Sequence, residues 1–160
     1  MRKSVAVLGS TGSVGRQALE VIEAHPGRFS VVALAAGANE ELLLEQVRKH
    51  RPKMAVLGKG SHGVAKGAWE AHPGTRLLFG EEGLLAAATH PDVETVVLAT
   101  SGIAGLRPLI AALRAGKRVA LANKESLVVA GDAVMAAAGA SAKARIIPVD
   151  SEHNAVFQCL

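Results

Sequence analysis

The chain carries one cysteine, Cys159, in 160 residues, so no disulfide can form within it. Nothing in that count points away from a reducing, cytosolic setting. Tyrosine is absent, Phe occurs three times and Trp once. The core must be built from Ala, Val, Leu and Ile, and the aromatic platforms that stack on nucleic-acid bases are lacking. No apolar run approaches the roughly 20 residues that a membrane-spanning helix needs. The basic start Met1-Arg2-Lys3 leads into an apolar run that Gly9 breaks at once, which argues against a secretory signal. Internal repeats and low-complexity linkers are also missing. The net charge is +4, but Lys and Arg are scattered among Asp and Glu, so the basic stripe of a nucleic-acid binder is not there.

What is present is apolar. Hydrophobic residues make up 49% and charged residues 20%, a balance that excludes disorder and suits one buried core. Short β-branched runs alternate with helical stretches. Strands are expected at Ser4–Leu8, Phe29–Ala36, Met54–Leu57, Arg76–Phe79, Val93–Ala99, Val119–Ala122 and Arg145–Val149. Helices are expected at Gln17–Ala24, from an Asn39 cap to about His50, at Ala68–His72, Glu82–Thr89, Leu106–Ala115 (ended by Gly116) and Glu125–Ala138. Strands separated by such helices read as βαβ units. The expected fold class is α/β: a Rossmann-like, doubly wound, mostly parallel sheet with helices on both faces. Residues 1–149 would form this domain. Residues 150–160 would open a second one, because the chain stops inside a new element, Asn154–Leu160, as a fragment of a longer protein would.

Three segments carry the chemistry. Gly9-Ser10-Thr11-Gly12-Ser13-Val14-Gly15 follows a strand and opens a helix. Glycines there allow a tight turn and a close approach of backbone to a pyrophosphate, and the helix N-terminus beyond offers unpaired N–H groups. Ser10, Thr11 and Ser13 add hydroxyls. The alternative is a tight turn with no ligand. At the end of the second strand, Ala35-Ala36-Gly37-Ala38-Asn39 holds no carboxylate for a ribose 2′-hydroxyl, so a 2′-phosphate meets no repulsion. Lys59 or Lys66 of the Gly58–Gly67 loop are within reach of that phosphate in principle. Ala122-Asn123-Lys124-Glu125-Ser126 ends another strand; Asn123 suits either a helix cap or a ligand cleft. In Pro148–Asn154, Asp150 and Glu152 would point the same way if the strand continued, and with Ser151 they form a hard-oxygen set for Mg²⁺ or Mn²⁺. The competing reading is an acidic helix start with Asp150 as cap. The remaining histidines read as helix terminators or solvated side chains, Cys159 as a core thiol and Trp69 as a packing residue.

In this order, GSTGSVG at Gly9–Gly15, ANKESLV at Ala122–Val128 and PVDSEHNAVFQCL at Pro148–Leu160 resemble the 1-deoxy-D-xylulose 5-phosphate reductoisomerase family. Val31–Asn39 and SGIAGLRP at Ser101–Pro108 are similar too. The resemblance implies an NADPH-dependent enzyme of non-mevalonate isoprenoid biosynthesis. It would convert 1-deoxy-D-xylulose 5-phosphate to 2-C-methyl-D-erythritol 4-phosphate with the help of Mg²⁺ or Mn²⁺. Thr11, Gly12, Ser13 and Val14 would meet the coenzyme phosphates, and Gly37, Ala38 and Asn39 the adenosine ribose. Asn123 and Glu125 would line the same cleft. Lys124, Ser151 and Glu152 would bind the sugar phosphate, and Asp150 and Glu152 the metal. Ala38 departs from the basic residue that many members carry. Members are also roughly twice this length or more, and their remainder supplies further metal and phosphate ligands. The expected partner is the small sugar phosphate, with no nucleic acid and no membrane, in a cytoplasmic homodimer. Other readings are a metal-free semialdehyde or homoserine dehydrogenase and a non-enzymatic dinucleotide sensor.

Overall fold

The computed structural model describes residues 2–58 and 66–159, with the side chains of Lys66 and Glu152 outside that description. Seven strands run β1 Lys3–Leu8, β2 Phe29–Ala36, β3 Met54–Leu57, β4 Arg76–Phe79, β5 Thr95–Leu98, β6 Arg118–Leu121 and β7 Arg145–Pro148. The helices are α1 Ser13–Ala24, α2 Glu40–His50, α3 Lys66–Glu70, α4 Gly80–Thr89, α5 Leu106–Arg114, α6 Glu125–Gly139 and α7 Ser151–Cys159. A 3₁₀ turn, Gly102–Gly105, precedes α5. All strands pair in parallel, in the order β4-β3-β2-β1-β5-β6-β7. The chain winds outward from β1 in one direction and then returns to wind outward in the other. The switch point therefore lies between β1 and β5, where open sheets of this kind leave a crevice.

Period-two alternation along the strands feeds two cores. Ala6, Leu8, Ala33 and Ala35 face one side, where Ala87 and Ala88 of α4, Leu109 and Leu113 of α5 and Val134 of α6 meet them. Val5, Val7, Leu34 and Ala36 face the other, with Leu19 of α1 and Leu43 and Val47 of α2. Burial on both faces explains why these strands read as continuous apolar runs. Small residues take the place of aromatics, since Ala and Gly let helices sit close to the sheet. The end of α5 is a complete Schellman motif. Gly116 has φ +71°, its N–H donates to Leu113 O (2.9 Å), and Lys117 N–H donates to Ala112 O (3.0 Å).

Several expectations need correction. α1 begins at Ser13 rather than Gln17, because the glycine loop itself turns into the helix. β5 is shorter than Val93–Ala99: Val93 N–H bonds back to His90 O (3.0 Å) in a turn instead of joining the ladder. The last element starts at Ser151, not Asn154, so the strand does not continue through Asp150 and the period-two argument for that pair does not apply. Cys159 is exposed, not a core thiol. His50 is not solvated. Its ring is buried at the end of α2, with Nε2 3.1 Å from Glu23 Oε1.

Candidate functional site

All seven strands point the same way, so the loops that follow β1, β2, β5, β6 and β7 open at one edge of the sheet. That single edge collects the segments singled out in the sequence. At the switch point it forms a cleft of about 430 Å³ lined by Gly9, Thr11, Gly12, Ala35–Asn39, Gly58 and Ala99–Ser101. This size is within the range of small-ligand sites.

The three glycines of the first loop have separate jobs. Gly9 has φ +88°, and a Cβ there would stand 2.4 Å from Ala99 O, so it lets β1 turn and β5 approach. A Cβ on Gly15 would stand 2.1 Å from Gly9 O, so it seats α1 against the loop. Gly12 is different: its Cβ would only reach 3.4 Å from Gly9 O, an ordinary contact. It is the N-cap of α1 and supplies no side chain to close the first turn. The helix start is left open on the cleft side, where an anion gains both N–H donors and the dipole. Thr11 and Gly12 line the cleft, Ser13 is exposed at the helix start and Val14 is half-buried. Ser10 does not contribute a hydroxyl. It is 0% exposed, with Oγ donating to Gln46 Oε1 (2.7 Å) while Gln46 Nε2 donates to Ser10 O (2.9 Å). That reciprocal pair fastens the loop to α2.

Gly37, Ala38 and Asn39 all line the cleft. Nothing lies within 4 Å of a Cβ on Gly37, so the turn is open to a ligand. The Asn39 side chain caps α2 by accepting from Leu42 N–H (3.1 Å). Lys59 lies outside the described residues, as does the Lys66 side chain, so neither can be placed against this turn.

Asn123 is 1% exposed and is not among the cleft-lining residues. Its Nδ2 donates to Thr100 O (2.6 Å) and Gly102 O (2.7 Å), and its Oδ1 accepts from Ser126 N–H (3.0 Å) and from the Ser126 hydroxyl. It therefore does what a cap does and also ties the loop after β5, which walls the cleft, to the start of α6. Thr100 Oγ1 in that wall is buried with no hydrogen-bond partner among the described residues. Lys124 and Glu125 are exposed at the start of α6 and are not among the residues that line the switch-point cleft.

Beyond β7, Asp150 caps α7. Its Oδ1 accepts from His153 N–H (2.9 Å) and lies 2.7 Å from His153 Nδ1, with the carboxylate side chain 13% exposed. Burial works against the charged form, but the hydrogen bonds and charge of His153 outweigh it and hold the carboxyl below its ordinary value. Ser151 is exposed beside it. Among the described residues no group of three metal-ligating side chains converges. Asp150 alone is not a cation site, and the Glu152 side chain is outside the description. Of the two readings of this segment, the acidic helix start with Asp150 as cap is the one the structure adopts.

Strand order, switch-point cleft and open glycine loop define a Rossmann-like α/β domain of the dinucleotide-binding type. The chain belongs to the 1-deoxy-D-xylulose 5-phosphate reductoisomerase family, whose model matches residues 5–131. It is 56% identical over its full length to the enzyme of that name from Moorella thermoacetica, of which it covers 41%. It is 42% identical over 164 residues to the chloroplastic enzyme from Oryza sativa, covering 34% of that protein. The whole chain superposes with TM-score 0.92 and 40% identity on 40% of a crystal structure of DOX-P reductoisomerase in complex with magnesium. A reductoisomerase from Zymomonas mobilis in complex with NADPH gives TM-score 0.88 at 39% identity, with 99% of this chain and 42% of that one covered. The chain thus spans well under half the length of these relatives. Among the described residues no helix is long and apolar enough to cross a membrane.

Proposed function

We propose that this chain is the coenzyme-binding part of a 1-deoxy-D-xylulose 5-phosphate reductoisomerase, and that the cleft at the switch point holds NADPH. The observation that carries the reading is the start of α1, opened to the cleft by Gly12 and left without a capping side chain. Related structures are described as complexes with NADPH, and with NADPH, fosmidomycin and magnesium. The N–H groups of Ser13 and Val14 and the Thr11 hydroxyl bind the diphosphate. Gly37, Ala38 and Asn39 receive the adenosine ribose. Asn123 acts through the loop after β5, holding that wall of the cleft in place against the coenzyme, and Glu125 flanks it. The β2, β1, β5 and β6 ends lie in sequence, spanning three strand spacings or roughly 14 Å, so the far end of a dinucleotide laid across them comes to the β6 and β7 loops. There Lys124, Ser151 and Glu152 meet the sugar phosphate, and Asp150 and Glu152 offer hard oxygens to Mg²⁺ or Mn²⁺.

When bound, NADPH supplies the hydride and the cation supplies Lewis acidity at the substrate carbonyl. Asp150 is an ionised carboxylate at neutral pH, as aspartates ordinarily are, and so offers a hard-oxygen donor. A full cation shell needs more oxygens than these two carboxylates provide. The test is a titration of the chain with NADPH and NADH, followed by an assay with 1-deoxy-D-xylulose 5-phosphate and Mg²⁺. The chain binds NADPH weakly and turns over nothing. Turnover by the 160-residue chain contradicts this account.

A further inference from the structure

Ahead of α1, the peptide N–H groups of the glycine loop are spent on carbonyls at Gly9, Ser10 and Gly12. Gly9 and Ser10 both donate to Ala35 O (2.8 Å each), and Gly12 donates to Gly9 O (3.1 Å). Thr11, which lines the cleft, is the exception, and its N–H makes no hydrogen bond among the described residues. The direction of that N–H is set from the other side of the same peptide. In a planar trans peptide the C=O and the following N–H point opposite ways. The Ser10 C=O is turned to α2, where the buried Gln46 Nε2 donates to it at 2.9 Å. The Thr11 N–H is therefore turned away from α2. A carbonyl oxygen accepts only from a donor, so Nε2 must face it, and Gln46 Oε1 is left to accept from Ser10 Oγ (2.7 Å). Gln46 itself does not line the cleft.

We infer that Gln46 is a positioning residue for the coenzyme diphosphate: by holding the Ser10 carbonyl against α2, it aims the Thr11 N–H into the cleft as a further backbone donor beside Ser13 and Val14. This rests on the coenzyme reading above. A turn of this one peptide reverses both groups, so that an anion meets a carbonyl oxygen instead of an N–H. A neutral carboxamide suits the task. It supplies one donor and one acceptor to the loop and places no charge beneath the diphosphate.

The test measures dissociation constants of NADPH and of adenosine 2′-monophosphate, which can fill the ribose turn but has no diphosphate. Both are followed by amide shifts in the parent chain, in Ser10→Ala and in Ser10→Ala combined with Gln46→Leu. Ser10→Ala keeps the bond from Nε2 and binds NADPH within about twofold of the parent. The double variant also loses that bond and binds NADPH about tenfold more weakly, the worth of one hydrogen bond to a charged group. Adenosine 2′-monophosphate binds all three alike. Equal weakening of both ligands marks a loosened fold and overturns the inference. So does a double variant that holds NADPH as Ser10→Ala does, or a Ser10→Ala as weak as the double variant. Should the double variant not fold, amide exchange in the parent decides. The Thr11 N–H exchanges fast in the free chain and is protected by NADPH; protection already in the free chain, or fast exchange at saturating NADPH, overturns the inference. A parent chain that binds no NADPH overturns the coenzyme reading itself, and the inference with it.

Discussion

Replacing Gly15 by Ala puts a methyl carbon 2.1 Å from Gly9 O, 2.7 Å from Ser10 Cα and 2.8 Å from Gly9 C. All three neighbours are backbone, so no side chain can swing away and α1 must lift off the loop. Overpacking of this kind costs about 1–3 kcal/mol, offset by at most ~1 kcal/mol of gained helix propensity. In a chain of this size each kcal/mol moves the melting temperature by about 2–4 °C, so Gly15→Ala melts several degrees lower. Gly12→Ala is the contrasting case. Its Cβ makes only the 3.4 Å contact, and φ −77°, ψ 172° suit alanine. The cost is about 1 kcal/mol of N-cap preference. The same methyl stands where the diphosphate approaches, so NADPH affinity falls by roughly tenfold, the worth of one hydrogen bond to a charged group. Thermal melts and a coenzyme titration on both variants decide the matter. A Gly15→Ala melt equal to the parent's refutes the packing argument. Gly12→Ala with full NADPH affinity refutes the assignment of the middle glycine to the ligand.

Asn123→Ala removes three partners at once from Thr100 O, Gly102 O and Ser126 N. It destabilises by about 2–4 kcal/mol in a urea melt and loosens NADPH, given the cost of ~1–3 kcal/mol for each stranded group; an unchanged melt contradicts the strut role. His50 has its pKa lowered, mainly by burial and against the pull of Glu23. The unfolded chain therefore takes up the proton first, and stability that is full above the ordinary value of 6.5 is lost as pH falls through the lowered one. His50→Gln flattens this acid limb; a limb of unchanged slope excludes His50 as its source. Lys117 Nζ donates to His90 O (2.9 Å) and Val93 O (2.5 Å), so Lys117→Met lowers the melting temperature by several degrees, at about 1.5–3 kcal/mol for a charged hydrogen bond. In the full-length enzyme, Asp150→Asn abolishes turnover while NADPH still binds; wild-type turnover favours a metal-free dehydrogenase.

Much of the sheet was legible because both faces of its strands are buried. Phe29–Ala36 and Met54–Leu57 stand at the residues their apolar runs mark, and so does the edge strand Arg76–Phe79, although its ends are exposed. Helix starts were less legible. Ser13-Val14-Gly15 are poor helix formers that read as loop, and they become helical only because Gly15 fits against Gly9. α6 also hides a break at Ala130 (φ −146°, ψ 39°) beside Gly131, which an alanine-rich pattern smooths over. The long-range polar pairs were invisible. Ser10 with Gln46 and Glu40 with Trp69 are joined by strand order, not by any local pattern. Ser10 therefore looked like a ligand donor, and Trp69 like packing alone. At Asp150 two local rules competed, and the cap rule won because Pro148 ends the strand.

Backbone amide shifts recorded while NADPH is added test whether the start of α1 grips the coenzyme at the carboxyl edge of the sheet. The largest movements are expected at Thr11–Gly15, with Gly37–Asn39 following and the opposite edge around Lys117 and Lys143 silent. Shifts centred on that opposite edge, or none in the glycine loop at saturating coenzyme, contradict it.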